Sequence, residues 1–185
     1  MTPEEIKTKL GNILKPSRYR HSLSVADTAA ELARRYGADP HKAYLAGLLH
    51  DCAKCYGEDE LKSKIRYYGI ELDFQTFNSV QLLHSFVGAY EAKELYGADD
   101  AIFDAIYYHT IGKAAMPLLT AIVYLADAIE PLRDYPDAEG IRRMAEVSLE
   151  KAIHMYTNAT VSYVKSKGGY VHPNAYKVID YYSQF

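Results

Sequence analysis

The chain has 185 residues, 49% of them hydrophobic and 24% charged, with a formal net charge of -3. That suffices for one domain with its own core, and the slightly acidic balance excludes a long electropositive groove, so any polyanion it handles is small and is met by a local patch. No stretch approaches the ~18 uncharged apolar residues of a membrane span, and the opening MTPEEIKTKL lacks the basic-then-apolar order of a signal peptide, so a cytoplasmic location is expected.

Taken in chain order, the punctuation is that of helices. Thr2-Pro3-Glu4-Glu5 offers a cap, a first-turn proline and acids against the dipole, with Ile6, Leu10 and Leu14 following at helical spacing. Ser17 is expected to cap a second helix running to Tyr36, where Gly37 ends it. Asp39-Pro40 starts a third through Ala43, Ala46, Gly47 and His50, with Gly57 as its close. Further helices are predicted from Glu58 to about Tyr68, from about Val80 to Tyr96, from Asp99 as cap to His109, and from about Met116 to Ile129. Residues 137–167 hold one long helix or two shorter ones, Gly168-Gly169 stops them, and Pro173 opens the last. There is no period-2 alternation, no repeat and no low-complexity linker. The expectation is an all-α bundle forming a single domain over 1–185, with its motif-bearing core at about 17–136 and helices from about 137–185 packed on it.

The stretch AGLLHDCAKCYG (46–57) overlaps two motifs, the pair His50-Asp51 and the C-x-x-C of Cys52 and Cys55. A structural zinc site needs four ligands and no second cysteine pair exists, while a thioredoxin-like pair needs a βαβ setting that is absent. Cys52 therefore reads as a small core hydrophobe and Cys55 as a residue near a helix end. Two cysteines so close cannot staple the fold, which also suits a reducing compartment.

His50-Asp51 gains meaning from its context. Asp127 lies in the apolar run AIVYLADAIEP, and His50-Asp51 follows the apolar LAGLL, so each is expected in an interior where a lone charge needs pairing, protonation or a metal. His21, His84 and His109 fall on other predicted helices, and imidazoles and carboxylates projected from several helices into one interior are how bundles build metal sites. Lys54, four after His50 and three after Asp51, is expected on their face one turn on, either as a cation beside that site or as a solvated lysine at a helix end. His41, His154 and His172 read as ordinary surface or hydrogen-bonded histidines. The 18 tyrosines, against 5 phenylalanines and no tryptophan, are mostly expected to pack with a wet hydroxyl; a few could stack on a base, and a tyrosine-rich surface permits a homodimer.

The ordered set His21, His50-Asp51, His84, His109 and Asp127 resembles the HD superfamily of metal-dependent phosphohydrolases. More specifically, RYRHSLSVA (18–26), AGLLHDCAK (46–54), LLHSFVGA (82–89) and HTIGKAAMPLLTAIVYLADAIEPLRDYP (109–136) resemble the YqeK-type HD proteins, bacterial hydrolases that cleave diadenosine tetraphosphate symmetrically to two ADP. The resemblance implies His21, His50, Asp51 and Asp127 as metal ligands, with iron as the cofactor, one or two ions, manganese or another divalent metal being compatible with such donors. It implies His84 and His109 at a second metal or at substrate phosphates, Lys54, Thr110 and Arg133 as phosphate contacts, and Arg18 and Arg20 as further candidates. Asp51 and Lys54 are the expected catalytic pair, with an acidified metal-bound water as nucleophile and a dinucleoside polyphosphate as substrate. The pattern departs at HTIGK, where HTTGR is expected: Lys113 keeps the charge without the bidentate guanidinium. Another HD activity (5'-nucleotidase, deoxynucleoside triphosphatase or cyclic-dinucleotide phosphodiesterase) and a non-catalytic nucleotide sensor are the alternatives.

Overall fold

Thr2 and Glu5 form a reciprocal capping box over α1 (Pro3–Ile13) in the computed structural model, which describes residues 1–185. α2 (Pro16–Tyr36) stops at Gly37, whose φ of 78° is the left-handed conformation that glycine adopts without strain. The expected cap at Ser17 is not the cap: Pro16 takes the first helical position and Lys15 precedes it, so Ser17 lies inside the first turn. Asp39 caps α3 (Pro40–Leu49) by accepting from the N–H groups of His41 and Lys42.

α3 is shorter than predicted. His50 is its C-terminal cap, Asp51 leaves helical geometry at φ -107° and ψ 18°, and Cys52–Cys55 forms a 3-10 turn. Gly57 belongs to the next element, as the cap of α4 (Glu58–Tyr67). His50 and Asp51 thus sit at a bend and not along one continuous helix.

A short α5 (Phe74–Asn78), absent from the sequence expectation, precedes α6 (Val80–Tyr96), α7 (Asp100–Tyr108) and α8 (Leu118–Ile129). The 137–167 stretch divides into α9 (Ala138–Ala145) and α10 (Leu149–Ser166) because the Ser148 hydroxyl accepts from the N–H of Lys151 and starts a new helix. α11 (Pro173–Tyr182) closes an all-α architecture, capped by His172, whose Nδ1 accepts from the Asn174 N–H. No helix is long and apolar enough to cross a membrane.

α8 is apolar on almost every side, and such a helix is stable only when surrounded. Ile122, Leu125 and Ile129 pack with Val25 and Ala29 of α2 and with Ile141, Leu149, Ile153 and Val178 of the last three helices. Val123, on its other side, joins Ala26, Leu48, Leu49 and Ile106 in a second core. α2 and α3 meet across Gly47, where an added Cβ would lie 2.9 Å from the Ala26 Cα and 3.0 Å from the Val25 carbonyl oxygen. That close approach fixes the spacing of the two helices that carry His21 and His50.

Candidate metal centre

His21 from α2, His50 and Asp51 from the end of α3, His84 from α6, His109 from the end of α7 and Asp127 from α8 converge on one interior point. Ring centroids of His21 and His50 are 5.1 Å apart, those of His50 and His109 5.0 Å, and those of His84 and His109 5.0 Å. Donor atoms of His21, His50 and Asp127 all lie within 4.8 Å of one another, as do those of His50, Asp51 and His109.

The ring orientations follow from what each Nδ1 does. His50 Nδ1 is 2.6 Å from the Gly47 carbonyl oxygen and His109 Nδ1 2.6 Å from that of Ile106, and because a carbonyl only accepts, both nitrogens carry the proton. His21 Nδ1 likewise donates to Glu130 Oε1 at 2.9 Å. In the neutral rings Nε2 is then a bare lone pair aimed into the cluster. His21 Nε2 lies 2.9 Å from Asp127 Oδ1, off the line of a hydrogen bond, and His50 Nε2 lies 3.4 Å from Asp51 Oδ2; both nitrogens are buried without a hydrogen-bond partner. His84 Nε2 faces His109 Nε2 at 3.1 Å and Asp51 Oδ1 at 3.2 Å. Convergent, buried, unpartnered imidazole lone pairs beside two carboxylates fit a divalent metal, since mixed nitrogen and oxygen donors suit such ions and an interior hydrogen-bond network would leave no such orphans.

The electrostatics express the same crowding. Burial favours a neutral Asp51, but His50, His109 and His84 outweigh it and hold the carboxyl well below the usual range. Asp127 is held down in the same way, burial being outweighed by His21, His50 and Arg133. At His50 burial opposes the charged ring, yet the carboxylates of Asp51 and Asp127 prevail and raise its pKa. At His84 burial wins and pushes the pKa down to about 4, so that ring is neutral.

Cations rim the cluster. Arg18 Nη1 donates to Asp51 Oδ2 at 2.7 Å, and Arg133 donates from Nη2 to Asp127 Oδ1 and from Nε to the Asp127 carbonyl at 2.7 Å. Ser17, Arg18, Arg20, His21, Leu132 and Arg133 line a cavity of about 390 Å³ beside it, with Arg20 exposed at its edge. Lys54 is partly buried in the 3-10 turn without an ion-pair partner, and burial lowers its pKa. Thr110 Oγ1 is 3.4 Å from His109 Nε2. Lys113 is turned elsewhere, paired with Asp104 Oδ2 at 2.6 Å and over the Tyr108 ring, so the HTIGK loop brings no cation to the cluster.

Glu130 is the residue that sequence reasoning passed over. It is buried, its Oε1 orients His21, and its Oε2 accepts from the Leu132 N–H at 2.7 Å. The signal was available: a second carboxylate three residues after Asp127 ends the same apolar run. The C-x-x-C cysteines are free thiols, Cys52 buried with its Sγ on the Gly88 carbonyl at 3.5 Å and Cys55 half-buried.

An all-α fold that gathers imidazoles and carboxylates from α2, α3, α6, α7 and α8 at one buried point is that of a helix-bundle metalloprotein. The HD domain profile matches residues 18–132, and this chain belongs to the HD domain family. It is 38% identical over 162 residues to the symmetrical bis(5'-nucleosyl)-tetraphosphatase of Halalkalibacterium halodurans, covering 87% of this chain and 86% of that one. It is 36% identical to the Bacillus subtilis protein of the same name, over 95% of both chains. A crystal structure described as a predicted HD superfamily hydrolase involved in NAD metabolism, from Clostridium acetobutylicum, superposes with a TM-score of 0.95 at 37% identity, covering 100% of this chain and 98% of that one.

Proposed function

We propose that this protein is a metal-dependent hydrolase that cleaves diadenosine tetraphosphate symmetrically to two ADP. The observation that carries the reading is the pairing of a buried His/Asp donor cluster with arginines seated on its own carboxylates, in a chain whose full-length relatives are named symmetrical tetraphosphatases. His21, His50, Asp51 and Asp127 would hold the metal, iron by preference, and His84 and His109 a second ion or the substrate phosphates. Such an ion, when bound, supplies Lewis acidity toward a phosphoryl oxygen and acidifies water.

The chain's own side chains do the rest. Arg18 and Arg133 exchange their carboxylate partners for phosphoryl oxygens, to which a guanidinium binds bidentately. Lys54, partly buried and unpaired, offsets charge that develops as a water oxygen bonds to one of the two central phosphorus atoms, the central bridging P–O bond at that atom breaks and the other half departs as ADP. His84 is kept neutral by burial and can carry a proton at Nε2, the nitrogen that faces the cluster. The Thr110 hydroxyl and Arg20 offer further contacts to the polyphosphate. Residues 1–185 act as one HD domain, a reading supported by the core that α8 shares with α9, α10 and α11. A reducing cytoplasm suits its two free cysteines.

The test is product identification with protein purified without chelator, combined with elemental analysis. Two ADP and a divalent metal, iron foremost, are expected. ATP plus AMP would reject symmetric cleavage, and tight binding without turnover would make the protein a nucleotide sensor.

A further inference from the structure

The last four carbonyls of a helix have no partner within it, and at the end of α8 most of them are met by side chains that come later in the sequence. Arg133 Nε donates to the Asp127 carbonyl at 2.7 Å, the Tyr135 hydroxyl to that of Ala128 at 3.0 Å, and Arg142 Nε, from α9, to that of Ile129 at 2.8 Å. Arg142 also reaches past the helix end: its Nη2 donates to the carbonyls of Glu130 at 3.1 Å and of Arg133 at 2.5 Å. We infer that Arg142 is a positioning residue for phosphate binding, holding the backbone of residues 129–133 so that Arg133 stays aimed at the metal centre. The inference rests on the function proposed above, in which Arg133 takes a phosphoryl group of the substrate, and adds to it the residue that keeps Arg133 in place.

Arg133 now leans on Asp127 through its own side chain, and the proposed reaction asks its guanidinium to give up that carboxylate. Its backbone must then fix its place. The Arg133 N–H donates to the Glu130 carbonyl at 2.9 Å, and the Arg133 carbonyl accepts from Arg142, so Arg142 touches both of the carbonyls that locate the residue. Its base is firm, because its neighbour Ile141 and Ala145 on the same helix pack in the core with Ile122, Leu125 and Ile129 of α8.

Arg142 acts at one remove. It does not line the cavity beside the cluster, and its remaining nitrogen, Nη1, donates to Glu139 Oε2 at 3.5 Å, so all three nitrogens are committed to the chain itself. The metal ligands do not depend on it: the Glu130 carboxylate that orients His21 accepts from His21 Nδ1 and from the Leu132 N–H, neither of them from α9. Three carbonyls met by one planar fork also require a guanidinium. A lysine would keep the positive charge that suits a helix C-terminus, but not the fixed geometry of the donors.

The experiment compares Arg142→Ala, Arg142→Lys and, as control, Arg143→Ala, whose side chain is exposed and pairs with Glu139 alone. Manganese affinity of the metal-free protein and ADP affinity of the manganese-loaded protein are measured by calorimetry, and the KM for diadenosine tetraphosphate by product assay. Both Arg142 variants are expected to lower ADP affinity and raise KM by about tenfold, the scale on which outer partners of a site act, with manganese affinity unchanged. In an Arg133→Ala background the same changes should have no further effect on ADP, since a residue that acts through another is silent once that other is gone. Arg142→Lys, with its charge retained, carries the comparison should Arg142→Ala not fold. Equal losses in both backgrounds, joint loss of manganese and ADP, a matching loss in Arg143→Ala, wild-type ADP affinity in the Arg142 variants, or a wild-type protein that binds no ADP each overturn the inference. The expected ADP pattern in a protein that fails to cleave diadenosine tetraphosphate would keep Arg142 in its role and reject the proposed activity.

Discussion

His21 has its ring nitrogens committed in opposite directions, Nδ1 to Glu130 and Nε2 toward Asp127, and the first of these sets what the second can do. Glu130 accepts from two N–H groups, that of His21 and that of Leu132, one on each oxygen. In Glu130→Gln only one of those positions keeps an acceptor, so a buried donor faces an NH2 and the His21 ring loses its fixed tautomer. The expected result is a metal affinity lower by about 10–100-fold with the fold retained, read by metal titration alongside thermal unfolding. His50 gives a pH dependence. Its raised pKa in the metal-free protein means that, below that pKa, a proton occupies Nε2 where a metal would bind, and that proton must leave. Apparent metal affinity therefore falls on acidification through and below that raised value, approaching about tenfold per pH unit for one displaced proton, and levels off above it. Calorimetry in buffers of different ionisation enthalpy checks this, with net proton release on binding as the expected sign. His84, neutral above about 4, adds no competing proton at neutral pH. His50, Asp51 and Asp127 were legible in the sequence because a charge in an apolar run demands a partner. Glu130 stood in the same run, but its role depends on a hydrogen bond to a residue 109 positions away.

Helix existence was legible from caps and spacing, and helix ends were not, because an end is decided by what the following residues pack against. α3 illustrates the point. Apolar spacing continues beyond Leu49, yet the chain bends at Asp51 so that Cys52 and Ala53 enter two different cores while His50 and Asp51 turn to the cluster. α5 escaped notice because five residues carry too little periodicity to register. The element that sets the site's dimensions is the α2–α3 pair, closed across Gly47. A methyl group there meets backbone atoms of Ala26 and Val25, which cannot swing aside as a flexible side chain would, so Gly47→Ala must move one helix. The cost expected is about 1–3 kcal/mol of stability, with His21 and His50 pulled out of register and metal affinity reduced as well. Gly140→Ala is the matched control: it lies on α9 with nothing within 4 Å of the new Cβ, and it should leave affinity unchanged while stability holds or rises. Equal metal affinity in the two variants would remove the α2–α3 spacing from the account of the site.

At the scale of the molecule, the cluster binds together helices that are far apart in the chain, from α2 to α8, and α8 in turn anchors the last three helices. Without a metal, the attractions inside the cluster are divided: the carboxylates hold Arg18, Arg133 and the histidines, while buried ring nitrogens go unpartnered. A metal would engage those nitrogens in the folded chain alone, so its binding free energy adds to folding stability. At a free concentration about 100 times its Kd the gain is about 2.7 kcal/mol. For a chain of this size that corresponds to a rise in Tm of roughly 5–10 °C, reversed by chelator. Asp51→Ala separates this from loose association with surface acids. Asp51 lies within 4 Å of His21, His50, His84 and His109, and it alone pairs with Arg18, so its removal takes out the shared carboxylate and leaves a partly buried guanidinium facing the histidines. The variant should unfold cooperatively yet gain nothing from added metal. A full thermal shift surviving in Asp51→Ala would mean that the ion binds elsewhere, and the interior cluster would then be a polar network and not a metal centre.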